Sequence, residues 1–423
     1  MRWSGQLGQR RSRGPWRLLV LSLTVLLGLV LPGARDAHAL PHMSLLAGAP
    51  CATCHVNEQG AGMRTNIGFG SMSHVGALQW EDVGLPWLSD RVSNEVVDYL
   101  VSVGMDARIQ TARIGRPLPV VDEAGELTFE QPPRETFLMQ LQPYLAVTPH
   151  DVLTLYGTWN AGRETFREGD PCDTPYPGQQ CFEAMAIVHP GHRMPGVRLG
   201  MLQPSVGIRH DDHTMKIRQE AYNTVVRRPF PVIPANYAEW GAEAFWQPRF
   251  DVRAELGVFH ARGLSEGVGD PSVVDPDDVA LAIRLQWMPQ FELGSTRWTS
   301  WLGGSVYGGG DFRMDNAFAG LGWMDRGALI LEAAHMHFGS GTDRRARNLS
   351  AQLTVQTWEW LLLQGRAEQA WSRDLGDRYN TLAFVGGVQF FPLPFIEIRP
   401  EYRWEETDVY RTGQYTVQMH FFY

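Results

Sequence analysis

Segments that alternate apolar and polar residues at every second position constrain the fold of this chain more than any other feature. They are clearest in Phe250–Phe259, Leu349–Trp358 and Ile396–Glu405, where the polar positions are often charged. A period of two is the pattern of a β-strand, whose successive side chains point to opposite faces of a sheet. Because the ionised face must meet water, the apolar face needs a second sheet or a lipid bilayer to cover it.

The length of the predicted strands favours a lipid bilayer as the medium that covers the apolar face. From residue 135 to the end we predict about 14–16 strands of about 10–13 residues, close to the ~9–11 that cross a bilayer and longer than the ~5–6 usual in soluble proteins. Short connections alternate with long ones, as in membrane barrels with short periplasmic turns and long external loops. The short ones include 148–151, 247–248 and 392–394, and the long ones include 162–180, 209–237 and 262–277. The predicted fold is mainly β, with an antiparallel transmembrane β-barrel after a small α-rich unit.

The end of the chain supports the same prediction. Tyr415, Val417, Met419, Phe421 and Tyr423 alternate with other residues, and the last residue is aromatic. This segment resembles the terminal strand of outer-membrane proteins, which the barrel-insertion machinery reads.

The first 39 residues have the layout of a secretory signal peptide. Several arginines precede an apolar run, Leu18–Leu31, and Ala37-His38-Ala39 follows it. The run is shorter than the ~20 residues of a spanning helix, so an uncleaved anchor is the weaker alternative. Removing residues 1–39 takes away six arginines and one aspartate, which leaves a net charge of about −14. That charge argues against a nucleic-acid partner. The barrel prediction makes outer-membrane lipid an expected partner.

The sequence Cys51-Ala52-Thr53-Cys54-His55 is a C-x-x-C-H motif. In an exported chain this motif attaches haem c, because two thiols three positions apart reach the two vinyl groups and the histidine becomes the proximal iron ligand. A redox dithiol has no special use for the histidine, and a zinc site would need a second pair at suitable spacing. One motif predicts one haem c.

The sequence does not decide which residue is the sixth iron ligand. Met63, Met72 and His74 follow the motif as possible ligands, with Met105 and His42 as further residues of a suitable type. A methionine would raise the reduction potential relative to a second histidine. Each methionine is also a residue that packs well in a core, and an open iron site is another alternative.

Two other cysteines, Cys172 and Cys181, bracket a loop rich in proline and glycine. In an oxidising compartment they are predicted to form a local disulfide.

The cluster His210-Asp211-Asp212-His213 contains ligand types that suit a divalent metal. It predicts either an ion-binding loop at a constriction or, more simply, a polar loop hydrogen-bonded to the barrel wall.

These features divide the chain into four parts: a signal peptide over 1–39, a monohaem cytochrome c domain over 40–115, a linker or irregular first strand over 116–134, and the barrel over 135–423. Within the haem domain, 93–103 is predicted to be a short amphipathic helix with Ser93 as its N-cap.

A haem unit followed by a barrel resembles the fused porin–cytochromes of iron-oxidising bacteria. The resemblance covers the architecture of the whole mature chain, although its one specific motif is Cys51–His55. It implies that the haem domain plugs the barrel and carries electrons across the outer membrane. Residues 56–64 look more like another group of cytochrome–barrel proteins, so haem attachment is implied and an Fe(II) substrate is not.

Residues 197–214 resemble the strand of phosphate-selective porins that leads into an inward loop.

Three functions follow as hypotheses. The first is electron transfer between a periplasmic carrier and an extracellular donor or acceptor, with the haem domain periplasmic or inside the lumen. This makes the chain an electron-transfer protein more than a catalyst; if it is an oxidoreductase, the expected substrate is a metal such as Fe(II). The second is a solute porin with a periplasmic haem domain as redox sensor. The third is a haem peroxidase, which would need an open iron site and a distal group such as His74. Charged inner faces suit a watery lumen or one that clamps a plug.

Overall fold

The computed structural model describes residues 41–423 except 58, 61, 91–92, 98–99, 122–126, 163–179, 192–193, 211, 213–214, 224–227, 325, 340–342 and 375. The predicted signal peptide, Cys172, Asp211 and His213 lie outside the described residues.

Sixteen antiparallel strands form a closed barrel. Each strand pairs with the next along the chain, and the last pairs with the first. The strands are β1 Val101–Ile114, β2 Glu135–His150, β3 Leu153–Trp159, β4 Phe182–Val188, β5 Gly196–Leu202, β6 Glu239–Arg249, β7 Val252–His260, β8 Val279–Trp287, β9 Thr296–Gly309, β10 Phe312–Trp323, β11 Gly327–Phe338, β12 Arg345–Trp358, β13 Leu361–Asp374, β14 Asp377–Leu393, β15 Ile396–Thr407 and β16 Arg411–Phe422. The predicted barrel is confirmed, at the upper end of the expected strand number.

Shorter elements decorate the barrel. Glu95–Val97 pairs with β1, Gln290–Leu293 continues β8 along β9, and two hairpins are formed by Leu118–Val121 with Leu127–Glu130 and by Gln219–Asn223 with Arg228–Pro231. The α-helices are α1 Pro41–Ala47, α2 Cys51–Cys54, α3 Asn66–Met72 and α4 Arg262–Val268, with 3₁₀ turns at Pro86–Leu88 and Lys216–Arg218. Every helix in the described part of the chain is too short or too polar to cross a membrane.

The barrel begins earlier than the sequence indicated. Val101–Ile114 is a wall strand that pairs with both β2 and β16, so the wall includes residues 101–114 of the segment predicted as the haem domain. The helix predicted over 93–103 is wrong, since Glu95–Val97 is extended and residues 101–103 open β1. The valines of this segment favour strands, and closing the wall supplies a pairing partner on each side of β1. The expected linker at 116–134 contains a hairpin.

The two faces of the wall have opposite chemistry. On β7, Leu256 is 57% exposed on the outside, whereas Glu255 is 3% exposed on the inside. The same inversion holds for exposed Tyr402 and buried Glu397 on β15. Exposed tryptophans mark both ends of the outer surface, at Trp159, Trp240 and Trp371 near one end and at Trp246, Trp287 and Trp358 near the other. An apolar outer band between aromatic girdles is the surface that a membrane barrel presents to lipid.

A charge in this band tests the lipid-facing assignment. Ile283→Arg, in the middle of β8, is expected to lower the free energy of unfolding by about 2–4 kcal/mol in lipid. Leu293→Arg, beside a turn, is the matched control and should cost at most about 1 kcal/mol. Urea unfolding in vesicles measures both; equal costs would contradict the assignment.

Two segments fill the lumen. The first, residues 41–90, is called the plug, and it enters from the end where β1 starts and β16 finishes, called the turn end. The second, residues 203–238 between β5 and β6, enters from the opposite loop end and is called the inward loop. Both lie close to the wall: a Cβ on Gly322 would sit 2.3 Å from the Leu45 carbonyl oxygen, and one on Gly207 (φ +53°) would sit 2.3 Å from the Glu332 carboxylate. The barrel therefore has a packed interior.

Candidate haem-attachment site in the barrel lumen

The C-x-x-C-H motif lies in the plug, inside the barrel. Cys51 and Cys54 start and end the single turn of α2, so their side chains project from the same face. Both thiols are unoxidised. His55 leaves the helix in an extended conformation (φ −125°, ψ 143°).

The ring of His55 is oriented by the chain that follows it. Its Nδ1 lies 3.2 Å from the carbonyl oxygen of Gly62. A bridge between His55 and Arg64 and a hydrogen bond from Val56 N to Met63 O (3.0 Å) hold this hairpin in place. When Nδ1–H donates to a carbonyl, the lone pair sits on Nε2, which is how protein carbonyls orient metal-binding histidines.

Cys54 is buried and Cys51 is half-buried. Burial raises the pKa of Cys51, an effect opposed by Arg284, by a hydrogen bond with Ser44 and by Arg253. Burial, with a smaller contribution from Cys51, raises the pKa of Cys54 to about 11. Both thiols are therefore protonated at neutral pH in the protein without haem. Because Arg253 is the second residue of β7 and Arg284 lies near the end of β8, the motif sits in the turn half of the lumen.

Charged residues of the wall hold the segment directly after the motif. Arg198 Nη1 donates to Asn57 Oδ1 at 2.7 Å, and Arg198 also forms a buried ion pair with Glu243. The Glu243 carboxylate accepts from the backbone N–H (3.0 Å) and hydroxyl (2.8 Å) of Ser205 in the inward loop. Plug and inward loop thus meet at one pair of wall charges. The sequence indicated that inner-face charges exist, but not that they bind the residues beside the haem motif.

This buried pair gives a stability prediction. Arg198→Met should lower the free energy of unfolding by about 3–5 kcal/mol, because Glu243 would stay buried without its main partner. Arg313→Met is the matched control, since the Arg313–Asp315 pair is solvent-exposed and worth at most about 1 kcal/mol. Denaturant titration of both variants measures the difference. A cost for Arg198→Met no larger than the control's would show that the pair does not clamp the lumen.

The possible sixth ligands differ in where they lie. Met63 is fully buried in an apolar cluster with Tyr144 and Tyr156. Met72 is buried in a second cluster, against which Cys51 packs. His74 is exposed, and its side chain is not brought into the lumen.

Two further residues of ligand type have other surroundings. Met105 is exposed on the outer face of β1. His42 is buried, and its Nε2 lies 3.0 Å from Gln389 Oε1, with the amides of Gln352 and Gln364 at 3.3 Å from the ring nitrogens. These glutamines come from three neighbouring wall strands and hold the start of α1. The sequence did not indicate this contact, because the three glutamines lie far from His42 in the chain and form no recognisable motif.

The residue types are those that haem c attachment needs. They comprise two free thiols on one helical face, an imidazole oriented through Nδ1, and the buried thioethers of Met63 and Met72 in two separate clusters. If haem c is attached, Cys51 and Cys54 would hold the porphyrin and His55 would ligate the iron, and Met63 or Met72 remains a candidate for a further ligand.

Two of the four residues predicted as a possible ion site, His210 and Asp212, contact the barrel wall. His210 Nε2 lies 2.7 Å from Glu332 Oε2, and Asp212 Oδ2 lies 2.5 Å from Arg366 and 3.3 Å from Arg403. Within the described part of the chain, no three histidine, cysteine or acidic residues form a group able to hold a metal. These two residues anchor the inward loop, and because Asp211 and His213 lie outside the described residues, both alternatives for the cluster stay predictions.

The second cysteine pair is only partly described. Cys181, directly before β4, is disulfide-bonded. Because Cys172 lies outside the described residues, its pairing with Cys181 stays a prediction.

Fold and site together define a class: a closed sixteen-stranded barrel with a C-x-x-C-H motif inside its lumen. No model of a known protein family matches the chain, and no curated protein matches it either. Among solved structures, the chain is similar to three proteins of the barrel type. They are outer-membrane OmpT of Vibrio cholerae (8% identity, 78% of this chain and 100% of that one, TM-score 0.46), OprB of Pseudomonas putida (10%, 77% and 95%, 0.49) and an anion-selective porin of Comamonas acidovorans (8%, 76% and 99%, 0.48). At these identities and TM-scores, no residue role carries over to this chain.

Proposed function

We propose that this chain is an outer-membrane barrel that carries electrons through one c-type haem attached inside its lumen. The observation that carries the proposal is the position of Cys51, Cys54 and His55 inside a closed barrel, where Cys54 and His55 are buried and the imidazole Nδ1 is oriented by Gly62 O. The apolar outer band places the barrel in lipid, and the predicted signal peptide supports export.

In this proposal, the haem supplies reversible one-electron chemistry and the chain supplies position and insulation. The two thiols anchor the group, so that it cannot leave the lumen. Gly62 O holds the His55 ring in the ligating tautomer. Arg198 and Glu243 fix the segment after the motif, and the wall excludes water from both.

The second candidate is a solute porin with the haem unit as a redox sensor. The ionised inner face favours it, since such a face is typical of a watery lumen. In this protein, however, many of those charges contact the plug and the inward loop, as Arg198 and Glu332 do. A peroxidase would need a distal acid or base at the iron, and the residue suggested for that role, His74, is exposed.

The visible spectrum of the detergent-extracted protein, oxidised and reduced, with and without carbon monoxide, tests the proposal. A low-spin c-type spectrum that carbon monoxide does not change is expected for an electron carrier with two axial ligands from the protein. A high-spin spectrum that shifts with carbon monoxide would indicate an open iron site and favour ligand chemistry. Absence of covalent haem, in a host able to mature c-type cytochromes, would refute the proposal.

A further inference from the structure

A compact loop lies at the turn end, just after the haem-motif hairpin and α3. This rim loop, residues 77–90, is attached to the wall by hydrogen bonds from Ala77 N to Phe391 O (2.9 Å) and from Leu78 N to Pro392 O (3.0 Å). Within the loop, Leu85 N donates to Trp80 O (2.8 Å). The backbone is therefore organised by its own hydrogen bonds and by the wall.

The rim loop presents apolar side chains to solvent. Trp87 is 60% exposed and Leu78 is 50% exposed, with Val83 and Leu85 about as accessible. Single exposed apolar residues are ordinary, but a large apolar set held on an ordered loop marks an interaction surface. Trp in particular is enriched in the energetic centre of protein interfaces.

The charge of the same loop is uniformly acidic. Glu81, Asp82 and Asp90 are exposed beside the apolar residues, and the described part of the loop contains no basic residue. An apolar centre with an acidic rim is complementary to a partner whose contact face is apolar with a basic rim. The acidic groups are repelled by anionic lipid headgroups, so the charge favours a protein over a membrane surface.

We propose that the rim loop is the docking surface for a small, soluble redox protein with a lysine-rich rim around its exposed cofactor edge. This inference rests on the proposed electron-transfer function. It is supported by position, because the haem motif lies in the turn half of the lumen, near Arg253 and Arg284, and the rim loop lies at that same end. A partner bound there would approach the haem by the shorter path, without crossing the inward loop.

Binding of a lysine-rimmed soluble c-type cytochrome to the full-length protein in lipid nanodiscs tests the proposal, with a lysine-acetylated form of the same cytochrome as the second probe. The charge-reversal variant is Glu81→Lys with Asp82→Lys. Its matched control is Asp275→Lys with Asp277→Lys, which reverses two exposed acidic residues at the loop end. Heat-modifiable mobility on denaturing gels confirms that each variant is folded.

The expected result is binding that weakens with salt, is absent for the acetylated probe, and falls about tenfold or more in the rim-loop variant but not in the control. Trp87→Ala should weaken it further by removing the apolar centre. Equal binding by wild type and the rim-loop variant would overturn the proposal. The proposal would also be overturned if the Trp87→Ala variant bound the cytochrome as tightly as wild type but lost affinity for vesicles of anionic phospholipid. In that case the loop would be a membrane anchor. Covalent haem is measured on the same samples: docking without haem would refute the electron-transfer function and leave the docking surface standing.

Discussion

Replacing both Cys51 and Cys54 by serine is expected to abolish covalent haem while leaving the barrel intact. In the proposed attachment each thiol would form one thioether bond to a vinyl group, so the double variant would have no covalent attachment left. Neither residue belongs to the wall, and the sixteen strands pair without them. Haem-dependent peroxidase staining of a denaturing gel, with the mass of the intact chain, measures the result.

The matched control is Thr53→Ser, which leaves both thiols and the histidine in place and should retain haem. A single Cys51→Ser or Cys54→Ser variant should retain one thioether bond and less haem. Covalent haem in the double variant would contradict the assignment of these two residues. A double variant that fails to insert into the membrane would show instead that haem attachment precedes barrel folding. Wild type expressed in a host that lacks haem-maturation factors should then fail to insert as well.

Deleting the plug, residues 41–90, is expected to raise ion conductance through the barrel by about tenfold or more, since a sixteen-stranded barrel is wide enough to leave an aqueous channel. In the full chain, α1 and the haem-motif hairpin occupy the turn half, and side chains such as Leu45, Met63 and Phe69 are fully buried against wall or plug. The deletion stops before residue 101, because β1 closes the wall. Single-channel recording in planar bilayers measures the change.

Deletion of residues 79–88 alone is the control, because it shortens the rim loop and leaves α1 and the motif in place; its conductance should equal that of the full chain. If the full chain already conducts as well as the plug deletion, the solute-porin hypothesis is favoured and the plug does not seal the lumen. A deletion variant that inserts but does not conduct would show that the inward loop closes the barrel by itself.

Much of the wall could be predicted from local pattern. Alternation in 250–259 and 396–405 requires one charged and one apolar face, and strand length indicates that lipid covers the apolar one. The structure agrees, with Leu256 outside and Glu255 inside. The start of the wall was missed because Val101–Ile114 follows a segment whose spacing also fits a helix, and only pairing with β2 and β16 decides its conformation.

The candidate site also has a part that the sequence predicts and a part that only the tertiary structure shows. The prediction of covalent haem attachment rests on the spacing of five consecutive residues, Cys51–His55, and stays a prediction. Which groups surround the motif depends on residues far away in the chain: Arg198 reaches Asn57 across 141 positions, and the Gln389 amide meets His42 across 347.

By itself, the sequence therefore determined the alternating wall and the haem motif, because both are encoded by neighbouring residues through side-chain periodicity and bond geometry. Only the tertiary structure decided that β1 belongs to the wall, that the motif lies inside the barrel in its turn half, and that the inner charges clamp a plug and an inward loop. Those outcomes depend on which residues, distant in the chain, come into contact when the sheet closes. Closure buries charged side chains, and their partners cannot be identified from neighbouring residues in the sequence.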